Sequence, residues 1–111
     1  MKIPEDAIIP DAKLTRYLLL LRSRDDKSKF LAQAGFISGN PEALLTALRQ
    51  ITLCNDAIQD RTDEFGIYYQ VKGFLQGVNG INLNVITIWL QRKSDRQFQF
   101  LTLVPNKETK S

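Results

Sequence analysis

Apolar residues along this chain change their spacing near residue 66. Before it they recur every third or fourth position, as on one face of a helix; after it they gather into β-branched and aromatic runs, as in strands. Pro10-Asp11 opens a first helix of about residues 11 to 21, with Asp11 placed to cap it and Leu14, Leu18 and Leu21 on one face. Arg22 to Asp26 is a charged connection. Phe30, Leu31 and Ala34 then predict a short second helix that Gly35 stops and Phe36 leads back to the core. Asn40-Pro41-Glu42 marks the start of a third, with Asn40 as cap, Pro41 at the first helical position and Glu42 near the positive dipole end. Leu44, Leu45, Leu48 and Ile51 carry its apolar stripe to about Cys54, and the polar stretch Asn55 to Glu64 reads as a surface loop.

Ile67 to Leu75 is a strand beginning at Gly66, and Gly77-Val78-Asn79-Gly80 is a hairpin turn, since Asn-Gly accepts the positive φ angles that reverse a twisted pair. Residues Ile81 to Gln91 form the antiparallel neighbour. Its alternation puts Leu83, Val85, Thr87 and Trp89 on one face and Ile86, Ile88 and Leu90 on the other. A strand apolar on both faces needs cover on both, by helices on one and by a loop, a ligand or a second subunit on the other. Arg92 to Arg96 is a charged turn, and Gln97 to Val104 returns as a further strand. The fold class is α+β: about three N-terminal helices packed on a C-terminal antiparallel meander of three or more strands.

Length fits one domain spanning residues 1–111, with an N-terminal arm at 1–10 and a polar tail at 106–111. Hydrophobic residues at 43% and charged residues at 24% are ordinary for a globular protein. A single cysteine and no histidine exclude an internal disulfide and a thiolate or imidazole metal site. No cofactor pattern of the Walker or dinucleotide kind is present. The first residues lack a secretory signal, and the longest aliphatic run, Leu18 to Leu21, cannot span a bilayer, so a cytoplasmic protein without a membrane partner is expected. The net charge of +3 decides little, but Lys13, Arg16, Arg22, Arg24, Lys27 and Lys29 fall close together.

Candidate chemistry is sparse. Lys27 and Lys29 stand at the start of the second helix, where exposed backbone N–H groups would join them in holding a phosphate; the plainer reading is a solvated charged turn. Asp25-Asp26 and Asp63-Glu64 are paired carboxylates that could serve as acid and base or simply face solvent. Tyr68 and Tyr69 point to opposite sheet faces, one exposed beside Lys72 and available to RNA, the other buried. Trp89 is either a base-stacking platform or, more simply, core. Cys54 lacks an activating base and reads as a packed thiol.

The run Asp26-Lys27-Ser28-Lys29-Phe30 to Gly35-Phe36, with Asn40-Pro41-Glu42-Ala43-Leu44, Phe65-Gly66, Thr87-Ile88-Trp89 and Phe100 to Pro105, resembles a family of small prokaryotic domains of unknown function. Relatives tend to read Gly-Lys-X-Lys-Ala where this chain has Asp26 to Phe30, with X sometimes histidine. Ser28 stands there, which puts any histidine-dependent activity in doubt for this chain. The order of helices before sheet is also similar to small ribonucleases and toxin nucleases of the barnase and colicin type. Two functional expectations follow: an interaction domain with a protein partner or a second copy of itself and a basic anion-binding patch, or a ribonuclease-like toxin domain acting on RNA, with Lys27 and Lys29 holding phosphate and Tyr68, Tyr69 or Lys72 near the base.

Overall fold

The computed structural model describes residues 1–10, 27–37 and 39–106, with residues 27–29 described for their backbone alone. The element order is α1 (Lys27–Ala32), α2 (Pro41–Cys54), β1 (Ile58–Asp63), β2 (Gly66–Gln76), β3 (Asn82–Arg92) and β4 (Phe98–Pro105). The four strands form an antiparallel sheet in chain order. The α+β class and the antiparallel meander are as expected. Of the three expected helices, the second and third correspond to α1 and α2, and the first lies outside the described residues.

Each helix owes its ends to the residues that signalled them, with one difference. Gly35 takes a φ of +88°, and Phe36 N–H donates to the Leu31 carbonyl as the chain folds back, leaving Phe36 buried. Asn40 and Pro41 occupy the expected places at the start of α2, yet the Asn40 side chain makes no capping hydrogen bond. Leu44, Leu48 and Ile51 are buried along one face of α2, which packs on β2. Removing such side chains from water is worth about 1.5–3 kcal/mol each, and this attaches the helix to the sheet.

The expectation of a surface loop at Asn55 to Glu64 is corrected: Ile58–Asp63 is an edge strand paired with the start of β2. Its sequence hid it because an exposed edge needs no alternating apolar side, and its charged residues are what keep such an edge from pairing further. The N-terminal residues, expected as an arm, are built into the core. Ile3, Ala7 and Ile9 are buried, Ile8 bridges to Gln99 in parallel, and Arg49 on α2 donates to the Glu5 and Ala7 carbonyls.

Trp89 and Thr87 are fully buried, as are Val71, Leu75, Val85, Phe100 and Leu103 beside them. Trp89 is therefore core, packed edge-on against Phe100 at 5.3 Å between centroids. Among the described residues, the helices and the N-terminal segment lie on this face. The opposite face carries Ile86, Ile88 and Leu90, each half-buried.

Candidate functional site: a cation-lined hollow at the sheet end

Two hairpin turns meet at one end of the sheet, joining β1 to β2 and β3 to β4. Gly66 makes the first possible: its φ is +146°, and a Cβ there would lie 2.1 Å from the Gln91 carbonyl oxygen on β3. Asp63 fixes the same turn by accepting the Phe65 N–H at 2.9 Å, and the Phe65 carbonyl accepts the Lys93 N–H at 2.9 Å. The second turn is held by Asp95, which takes both arms of the Arg92 guanidinium, at 3.1 and 2.6 Å, and the Gln97 N–H at 3.0 Å. Arg96 stands in the left-handed region at φ 62°, uncommon for a residue with a side chain.

Between these turns lies an open hollow of about 610 Å³ lined by Thr62, Asp63, Gly66, Ile67, Gln91, Arg92, Lys93 and Arg96. Arg92 is engaged with Asp95, whereas Lys93 and Arg96 have no carboxylate partner among the described residues. The hollow therefore presents two cations outside any ion pair, Lys93 and Arg96, together with the Asp63 carboxylate. Arg92 bonded to it is the main reason the Asp95 carboxyl sits below its ordinary value, with the Gln97 N–H second.

On the adjoining sheet surface, the Arg61 guanidinium lies 4.2 Å from the centroid of the Tyr68 ring and 3.7 Å from Asp63. Burial pushes the Tyr68 hydroxyl up, and its hydrogen bond to Asp63 pushes it further the same way. Burial also pushes the Asp63 carboxyl up, but the Phe65 N–H, the Tyr68 hydroxyl and Arg61 outweigh that and leave it below the ordinary carboxylate value. Asp63 is thus an ionised acceptor and Tyr68 a protonated donor across neutral pH.

The residues singled out from sequence fall in different places. Tyr68 and Tyr69 do point to opposite faces, but both are buried, at 9% and 8% exposure. The expectation that one of them is exposed is corrected: Arg61 covers the Tyr68 ring, and Tyr69 packs on Phe98 at 5.5 Å. Lys72 is exposed near a second hollow of about 410 Å³, where β2 continues beyond its pairing with β1. Cys54 lines that hollow and is exposed, which corrects the expected packed thiol; its place at the last turn of α2 lies off the helix's buried stripe. Lys27 and Lys29 begin α1, and their side chains are outside the described atoms. The turn that follows α1 is tied to the β2–β3 turn by Val78 N–H donating to the Ala34 carbonyl, at the sheet end opposite the cation-lined hollow. Arg92, Lys93 and Arg96 were visible in sequence only as a charged turn; what singles them out is that Asp95 neutralises one of three cations.

These features define a class: an α+β domain whose antiparallel meander carries at one end a hollow lined by charged residues of both signs. The chain belongs to the family described as a domain of unknown function (DUF6883), whose model matches residues 2–107. Its fold is similar to that of a chain in a contact-dependent growth inhibition toxin–immunity protein complex from Klebsiella pneumoniae 342, with a TM-score of 0.66 at 18% identity, over 90% of this chain and 100% of that one. No curated protein matches the chain.

Proposed function

We propose that this domain is the toxin component of a toxin–immunity pair and that it acts on RNA at the cation-lined hollow. The observation that carries the reading is the pair of cations outside any ion pair, Lys93 and Arg96, on a turn braced by the Arg92–Asp95 ion pair. Preset cations around an open hollow suit a polymer with a phosphate at every residue. They also suit phosphoryl-transfer chemistry, because they face the oxygens on which negative charge develops. Asp63 lines the same hollow, but the Phe65 N–H, the Tyr68 hydroxyl and Arg61 hold it below the ordinary carboxylate value, so it anchors the turn as a fixed anion and is a poor proton acceptor. Likeness of fold to a chain of a toxin–immunity complex supports the reading's class.

The test is induced expression in a bacterial host with recovery of total RNA. The native protein is expected to slow growth and yield cleaved RNA, and Lys93→Ala/Arg96→Ala to do neither while folding normally. Normal growth with intact RNA under native expression removes the toxin reading. A parallel Lys27→Ala/Lys29→Ala variant measures whether the α1 lysines share in phosphate contact.

A second reading, a cytoplasmic interaction domain that pairs with a protein or a second copy of itself, is favoured by the other sheet face. There Ile86, Ile88 and Leu90 form a half-buried apolar row flanked by exposed Ile58 and Phe74. Mass measurement in solution tests it: a dimer broken by Ile88→Lys supports pairing through that face, and a monomer at all concentrations removes the self-pairing form.

A further inference from the structure

Phe65 is 60% exposed at the tip of the β1–β2 turn. A ring this exposed contributes little buried apolar area to folding, yet the backbone on both sides of this one is held by hydrogen bonds. Its N–H is held by Asp63 and its carbonyl by the N–H of Lys93, one of the two cations of the hollow outside any ion pair. The backbone that carries this apolar ring is thus bonded to the turn that holds Lys93, so the main chain there has less ordering to do on binding. Phe74 is equally exposed but lies near the far end of β2, beside the other hollow. The tyrosines on the sheet cannot take this part, since both rings are covered.

We infer that Phe65 is a stacking platform for an unpaired base, so that the ligand of this site is single-stranded RNA rather than a duplex. The inference rests on the RNA reading and narrows it. Cations fix the backbone and an exposed aromatic takes the base, the pairing by which sequence-tolerant single-strand binders work. In a duplex the bases are stacked on one another and present no free face to Phe65.

The experiment titrates three labelled RNAs against the protein by fluorescence anisotropy: a single strand, the same strand with abasic residues, and the duplex. Phe65→Ala is expected to weaken single-strand binding by about 5- to 150-fold, the range of one lost base–aromatic stack. Binding of the abasic strand should stay unchanged, and Phe65→Trp should bind the single strand as native does. Lys93→Ala/Arg96→Ala should weaken all three. If Phe65→Ala binds the single strand like native while the lysine–arginine variant loses it, the stacking inference fails and the RNA reading stands. If native protein binds none of the three at low salt, both fall.

Discussion

Thr87 gives the buried Trp89 indole its hydrogen-bond partner and ties it to the neighbouring strand. Its hydroxyl donates to the Val71 carbonyl at 2.9 Å and accepts the Trp89 indole N–H at 2.8 Å, all with Thr87 and Trp89 fully buried. Thr87→Val keeps the shape and removes both bonds, so it should cost about 1–3 kcal/mol for the orphaned indole donor, read as a lower midpoint in chemical denaturation. Asp95 gives a pH signature. Its folded carboxyl lies below the ordinary 3.8 because Arg92 and the Gln97 N–H favour the charged form. A lowered folded value means that its contribution to stability is present above the unfolded value and is lost as pH falls through the folded one. Native protein should therefore melt above Asp95→Asn at neutral pH, and the gap should close as pH drops below about 3.8; a gap independent of pH would deny the pairing. At this scale sequence was informative about burial, as Phe36 and Trp89 show. It was silent about which charges cancel, because the spacing that lets Asp95 reach Arg92 depends on the turn.

At the scale of elements, the strongest signals were those with a backbone cause. Gly35, Pro41 and the apolar stripe of α2 all fall where their local physics requires, and β2, β3 and β4 begin within a residue of where the aromatic and β-branched runs begin. β1 was not legible because Ile58–Asp63 has exposed side chains almost throughout, so its strand state comes from pairing with β2 rather than from its own pattern. The placement of the N-terminal residues was not legible either, since Ile8 bonds to β4 across nearly the whole length of the chain. Gly66 is the position on which the hollow depends. Gly66→Ala would drive a methyl group into the Gln91 carbonyl at a φ hostile to side chains, so destabilisation beyond about 1 kcal/mol is expected. The first turn must shift, and RNA binding should weaken together with stability. Unchanged binding would separate the hollow from this turn.

For the molecule as a whole, the sheet separates three duties: one face buries the core, the other presents a half-buried apolar row, and one end gathers charge. The candidate site was only partly legible beforehand, because Asp63, which lines the hollow, and Phe65, whose carbonyl accepts the Lys93 N–H, lie about thirty positions from Lys93 and Arg96 and meet them only through the β1–β2 and β3–β4 turns. A net charge of +3 is too small to attract nucleic acid over the whole surface, so the account requires binding to be local to that end. The most direct measurement is the salt dependence of single-stranded RNA affinity for native protein and for Lys93→Ala/Arg96→Ala. Each phosphate contact on a single strand contributes about 0.7 to the slope of log affinity against log salt. Loss of two contacts should therefore flatten the slope by about 1.4 and weaken binding at low salt. An equal slope and equal affinity for the two proteins would show that RNA does not bind at this hollow.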